Sequence, residues 1–288
     1  MKHLLPPVRI HSWGGLGSQL FAIAMAEDFK AIFPKRSLKI VLHTGGVTRR
    51  IPEVTEIFPE FEYEYEDDFR QKGEILVQNA STYKSLFRSI FKKILSAIGF
   101  MAQCDDDFAT KRLFPWVISI RGHYSYRTIN SSFLSGLEER CQKIQDSNVT
   151  DLAETCIVHY RLGDLLFIKE KSPISALSVA SEYFKIKDQI HFTNLIVFSD
   201  SPPEARLRFS SLISDELLVL DSKTASVIAN SIRAKYFIGT SSKISFWIAG
   251  IREVVYQSPS SLPLENFDQF IKTTREDSDL LRPYVTNP

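Results

Sequence analysis

The sequence predicts an α/β protein made of two Rossmann-like domains with parallel sheets facing across a cleft. Three observations carry that reading. Short β-branched runs alternate with helical patterns along the 288 residues, as in parallel sheets covered by helices. Each half opens on an apolar strand that runs into a glycine-bearing turn. The polar stretch Gln142–Asp151 reads as the boundary, giving domains over 1–150 and 151–288. A single larger doubly wound domain fits the same alternation.

In chain order, Val8–His11 and Leu38–Leu42 read as buried strands. Gln19–Phe33 between them reads as a helix stopped by Pro34. Trp116–Arg121 is a further strand. In the second half the strands are Thr155–Tyr160, Leu195–Ser199, Leu217–Leu220, Tyr236–Ile238 and Val254–Tyr256, with room for crossover helices between them. The polar end, Thr273–Pro288, is expected to pack loosely.

Composition narrows the function. The chain is 44% hydrophobic and 24% charged, an ordinary globular mixture. A formal net charge of +1 gives no global field for nucleic acid. Cys104, Cys141 and Cys156 have neither metal-ligand spacing nor a disulfide pattern, which fits a reducing, cytoplasmic compartment. The opening MKHLLPPVRIHSW has no long apolar core, so no secretory signal is expected, and no run is long enough to span a bilayer.

The richest motif is CIVHYRLGD, Cys156–Asp164. Successive strand side chains alternate between faces, so His159 and Arg161 point the same way at the strand's carboxyl end. Ligands of open α/β sheets bind at that edge, and Arg161 can make bidentate bonds to a diphosphate. Asp164 can orient Arg161 or cap the next segment. A structural Arg–Asp pair is the plain alternative.

Four other stretches carry candidate chemistry. In WGGLGSQLF, Trp13–Phe21, the strand Val8–His11 meets Gly14, Gly15 and Gly17 and then a helix. Such glycines permit positive φ and close ligand approach beside free helix N–H groups, but the third glycine of a dinucleotide fingerprint is missing. A tight strand-to-helix turn explains the motif equally well. In VFSDSPP, Val197–Pro203, Asp200 can accept N–H bonds from a guanine edge or simply cap a helix. In GTSSKISFWIA, Gly239–Ala249, hydroxyls at a helix start make another anion site, to which Lys243 adds charge. Capping by Ser241 or Ser242 competes with that reading. In Tyr83–Met101, apolar residues share one helical face while Lys84, Arg88, Lys92 and Lys93 lie largely off it. That pattern suits an anionic membrane surface, or a helix packed on its own domain.

These pieces occur in order in one family. The chain resembles the α-1,2-fucosyltransferases of glycosyltransferase family 11, especially bacterial members that build surface polysaccharides. GGLGSQLF is similar to the family's GGLGNQ(L/M)F, VHYRLGD to HxRRGD, VFSDSPPEA to its FSDD segment and SSKISFWIAG to SSFSWWAA, over residues 9 to 252. Departures are Ser18 for Asn, Leu162 for the second Arg, Ser201 for the second Asp, and Lys243 and Phe246 in the last motif.

The resemblance implies a GT-B fold and metal-independent, inverting transfer of fucose from GDP-β-L-fucose to a 2-hydroxyl, commonly of galactose. Arg161 would stabilise the departing diphosphate. His159, Asp200, Ser241, Ser242 and Ser245 would hold the donor from the second half; Gly14, Gly15, Gly17 and Gln19 would approach it from the first. Asp164, Glu170 and His11 are candidates for the base. Tyr124 and Tyr126, in an aromatic stretch like the family's, would meet the acceptor. A lipid-linked acceptor would put Tyr83–Met101 on the cytoplasmic face of the inner membrane. A related donor such as GDP-colitose, or a non-catalytic nucleotide- or sugar-binding module, fits the departures. A nicotinamide-dependent oxidoreductase does not, because Leu38–Leu42 runs into His43 and Thr44 without an acidic residue.

Overall fold

The computed structural model describes residues 5–46, 49–68, 90–91, 93–103, 113–122, 129–144, 152–167, 173–213, 217–240, 242–252 and 285–286. The strand expected at Val254–Tyr256 lies outside them. The chain forms two compact units, Met1–Thr128 and Ile129–Pro288. The division precedes the expected 150/151 boundary because helix Ser131–Ile144 buries Phe133, Leu134, Leu137 and Cys141 within the second unit. There the Phe133 ring meets Trp247 at 5.7 Å.

The first unit opens on β1 (Val8–Trp13) and α1 (Leu16–Ile32), followed by β2 (Leu38–His43), α2 (Val54–Ile57) and β3 (Tyr63–Glu66). After a helical segment in 90–97 come β4 (Met101–Gln103) and β5 (Ser119–Arg121). The sheet order is β3-β2-β1-β5-β4, with every pairing parallel. Alternating Tyr and Glu give β3 no apolar signal. It is an edge strand whose Glu64 and Glu66 meet Arg9 at 2.8 and 3.0 Å. Met101 begins a strand instead of closing the amphipathic helix: Gly99, at φ +79°, ends that helix in the left-handed conformation.

The second unit contains β6 (Ile129–Asn130), α3 (Ser131–Ile144), β7 (Thr155–His159), α4 (Ala176–Lys187), β8 (Asn194–Phe198), α5 (Pro202–Phe209), β9 (Leu217–Leu220), α6 (Thr224–Arg233), β10 (Tyr236–Gly239) and α7 (Lys243–Ile251). Its main sheet has the order β10-β7-β8-β9, all parallel. Val285–Thr286 of the terminal stretch pairs with β6. Expected strands and observed ones agree to within one or two residues for β1, β2 and β7–β10; apart from the edge strand β9, where Leu218 is exposed, their apolar runs are largely buried on both faces.

Both sheets reverse direction beside their first strand. The chain builds β1, β2 and β3 one way and then places β5 on the other side of β1. It builds β7, β8 and β9 one way and then places β10 on the other side of β7. A reversal leaves a crevice at the strands' carboxyl ends, because the adjoining loops depart to opposite faces.

A buried cation stabilises the second unit. Arg252 is fully buried and donates to the carbonyls of Ser231 at 2.8 Å and Ala234 at 2.6 Å. Those carbonyls close the end of α6 and would otherwise lack partners. Cys141 and Cys156 are buried free thiols, each pushed up to about 12 chiefly by burial, which suits packing and not nucleophilic chemistry. Among the described residues no helix is long and apolar enough to cross a membrane.

Candidate functional site

The reversal beside β7 gathers five of the ten predicted donor residues: His159, Arg161, Asp200, Ser242 and Ser245. Alternation continues past the strand end: Tyr160 and Leu162 are fully buried, whereas His159 and Arg161 are partly exposed on the other side. Tyr160 is anchored through its hydroxyl to the Ile174 carbonyl at 2.7 Å. Two clamps then hold the loop. Thr240, at the end of β10, donates its hydroxyl to the His159 carbonyl at 2.7 Å and accepts the Arg161 N–H at 3.0 Å. Asp200, at the end of β8, accepts the N–H groups of Leu162 and Gly163 on Oδ1, both at 2.8 Å. Gly163 is required there, since a Cβ would overlap Asp200 Oδ2. The alternative helix-capping role is not what Asp200 does: Ser201 is the cap residue of α5.

Helix α7 supplies the rest. Ser242 is its N-cap, accepting the N–H groups of Ile244 and Ser245 at 3.1 and 3.2 Å. Ser245 Oγ lies 2.8 Å from His159 Nδ1, and Ser242 Oγ lies 3.4 Å from it. Burial pushes His159 down to about 4, helped by Arg161 and opposed by Asp200. The imidazole is therefore a neutral hydrogen-bonding group near pH 7.

Lys243 is the informative residue. Burial, then the Arg161 guanidinium, pushes its ammonium down to about 8. A half-buried lysine on the first turn of a helix opposes the helix dipole and repels a neighbouring arginine. The loop between β10 and α7 thus brings a second cation to Arg161, while Leu162, where the resembled family has its second Arg, faces the core.

The first unit's reversal is built differently. Gly14 sits at φ +107°, where a Cβ would come 2.8 Å from Ser18 Oγ. Gly15 caps α1 without a side chain and has open space beside it, and Gly17 is buried in α1. Gln19 is buried, and its amide is engaged by backbone: Nε2 donates to the Gly14 and Ile51 carbonyls at 3.2 and 2.7 Å, and Oε1 accepts the Val54 N–H at 3.1 Å. It splices the glycine loop to the segment before α2, a structural role that sequence reasoning did not assign to it.

Beside that loop runs a chain of hydrogen bonds. His11 Nδ1 lies 2.9 Å from His43 Nε2, and His43 Nδ1 lies 2.8 Å from Asp68 Oδ2. Asp68 also accepts the Gly45 N–H at 2.7 Å. Burial raises the Asp68 carboxyl, but the bonds from His43 and Gly45 outweigh it and hold it below its ordinary value. The Asp68 carboxylate can only accept, so His43 donates to it from Nδ1; in the tautomer where His43 Nε2 accepts from His11 Nδ1, His11 Nε2 is left as the acceptor end. Burial, then Arg121, His43 and Arg9, pushes His11 down to about 3. Trp13 stacks on His43 with centroids 4.2 Å apart, and the Arg121 guanidinium lies 5.7 Å from the Trp13 ring. Sequence reasoning singled out His11 but missed its partners, which come from other strands' ends.

Of the remaining expected residues, Asp164 is described only as backbone in the 3-10 turn Gly163–Leu166. Ser241, Glu170, Tyr124 and Tyr126 lie outside the described residues. Among the described residues no group of three or more His, Cys, Asp or Glu side chains is arranged to hold a metal ion.

Fold and geometry together define a class: an α/β protein of two parallel-sheet, Rossmann-like units, the second with paired cations at its reversal point. No protein-family model and no curated protein sequence matches the chain. Among solved structures it is similar to NodZ alpha-1,6-fucosyltransferase soaked with GDP-fucose, at 12% identity and TM-score 0.42 over 86% of this chain and 92% of that one. It is similar to POFUT1 in complex with GDP-fucose, at 13% and 0.42 over 89% and 98%. It is also similar to the glycosyl transferase family 9 from Veillonella parvula DSM 2008, at 11% and 0.45 over 96% and 91%. Likenesses this distant assign no activity to this chain.

Proposed function

We propose that this protein is an inverting fucosyltransferase that takes GDP-β-L-fucose as donor. The observation that carries the reading is the convergence of Arg161 and Lys243 beside neutral His159 at the β7/β10 reversal. Family-like motifs supply both the loop that holds Arg161 and the helix that presents Lys243. In transfer, the acceptor 2-hydroxyl oxygen bonds to the fucose anomeric carbon from the face opposite the diphosphate. The bond to the diphosphate oxygen breaks, and its electron pair leaves with GDP. Arg161 and Lys243 stabilise that developing charge, the task a divalent ion performs elsewhere, so transfer proceeds without metal. Lys243 stands in for the cation lost at Leu162.

Asp200 holds the Arg161 loop with Oδ1 and offers Oδ2 to the guanine N–H edge. The acceptor's proton goes to a base, for which Asp164, Glu170 and His11 are the candidates; burial pushes His11 down to about 3, so it is unprotonated at neutral pH. A galactoside of a surface polysaccharide and an α-1,2 linkage follow from the motif resemblance.

The test is calorimetric GDP binding together with sugar transfer to β-galactosides in EDTA, using GDP-fucose and a panel of GDP-, UDP- and CDP-sugars. EDTA-resistant transfer from GDP-fucose, lost in Arg161→Ala, is the expected result. Turnover with another GDP-deoxysugar alone would move the donor assignment. GDP binding with no turnover would leave a nucleotide-binding module, and absence of GDP binding would overturn the reading.

A further inference from the structure

The helical segment in 90–97 presents an apolar face to solvent. Ile90, Phe91, Ile94 and Ile98 are each 49% to 52% exposed. They fall at spacings of three, four and eight residues, so they form one stripe along the helix. The sequence periodicity alone is equally compatible with a helix packed on its own domain; these exposures show a stripe that the described residues of the first unit do not bury.

Two aromatic residues extend the stripe. Trp116 Nε1 donates to the Ile98 carbonyl at 2.9 Å, which fixes the indole against the helix's carboxyl end. Phe114 stacks on Trp116 with centroids 5.0 Å apart, and its ring occupies the space a Cβ at Gly99 would need. Trp116 is 41% exposed and Phe114 36%. An indole held at one end by a polar bond and left half-open on its body is the side chain favoured where an apolar phase meets water.

Charge selects the occupant. From Ile75 to Cys104 the sequence has no Asp or Glu and four basic residues, Lys84, Arg88, Lys92 and Lys93; Lys93 is exposed on the helix. A second copy docking face to face through a two-fold axis would set Lys93 against its own counterpart. An anionic lipid surface meets both the charge and the apolar stripe.

We propose that the stripe Ile90, Phe91, Ile94 and Ile98, with Phe114 and Trp116 at its end, is a docking surface for an anionic bilayer. The helix lies in the interface plane, its apolar side chains below the headgroups and Lys93 among the phosphates. This property is independent of the donor reading: it holds equally for a protein that binds no GDP.

The test is flotation of the full chain with vesicles of phosphatidylcholine alone or mixed with phosphatidylglycerol, together with sedimentation analysis of oligomeric state. Flotation with the anionic vesicles, weakened by added salt, is expected. A Phe91→Glu/Ile94→Glu double variant, whose sites are half-exposed and whose fold is checked by circular dichroism, should lose roughly tenfold or more of that partitioning. Brominated lipid should quench a fluorescence component absent from Trp116→Phe. Absence of flotation, flotation unchanged in the double variant, or a self-associated species lost in that variant without vesicle binding would each overturn the proposal.

Discussion

Strands β1 and β7 hold equivalent places: each is the first strand of its sheet, with the order reversing beside it. Each carries a histidine near its carboxyl end that burial keeps neutral, His11 near 3 and His159 near 4. From there the two edges diverge. At β7 the space is bordered by cations that repel one another, Arg161 and Lys243. At β1 the corresponding arginine, Arg121, lies over an indole, and the polar groups are linked in series from Asp68 through His43 to His11. One edge gathers positive charge, whereas the other links polar side chains in series and holds a ring by stacking. A shared topology places side chains at an edge; the residue types decide whether that edge concentrates positive charge or links neutral polar groups.

Removing Arg161 should break the comparison most severely. Arg161→Ala should lower kcat by about 10²–10³, the usual scale for losing one group that stabilises developing charge, with thermal stability nearly unchanged; steady-state transfer assays check it. Asp68→Asn should lower turnover by roughly 10² while leaving the GDP dissociation constant unchanged, because the tautomer chain belongs to the other edge. Equal losses in affinity and turnover would show that the two edges do not divide the labour as drawn.

Lys243→Met should weaken GDP binding roughly tenfold at pH 7, the loss of one charge-assisted bond. In the native protein GDP affinity should fall as pH rises through about 8, where Lys243 of the nucleotide-free protein gives up its proton, and this slope should vanish in the variant. Calorimetry at pH 7 and 9 decides it. Without ligand the same variant should melt higher, because it removes a desolvated charge beside a like charge.

The smallest effect is on acid stability. His11 and His159 have folded values below the ordinary 6.5, so the unfolded chain binds more protons as pH falls below that value. Stability contributed by each is present above 6.5 and is lost as pH falls toward 4, by on the order of 1 kcal/mol per pH unit. Denaturant titrations at pH 7 and 5 should show that loss, and His11→Asn should reduce the slope.

Much of this architecture was legible in the residues. Runs such as Val8–His11 and Thr155–Tyr160 are apolar because their strands are covered on both faces, and that coverage is what the parallel sheet demands. The first sheet's edge strands gave no such signal: Tyr63–Glu66 is held by Arg9 from β1, and Met101–Gln103 is three residues long. The pairing of His159 with Arg161 followed from strand alternation alone. Gln19, expected to face the donor, is satisfied by three backbone groups, an outcome fixed by where residues 51–54 return in space.

The sequence by itself determined the order of strands and helices, the glycine turns, and which side chains share a face, because those depend on backbone periodicity and on neighbours a few residues away. Only the tertiary structure decided that Lys243 lies beside Arg161, that Thr240 and Asp200 clamp one loop from two different strands, and that His43 and Asp68 complete a chain with His11. Those partners are separated by 25 to 82 residues, as His43 is from Asp68 and Arg161 from Lys243. Nothing in local propensity distinguishes them until the sheet reverses and brings its strand ends together.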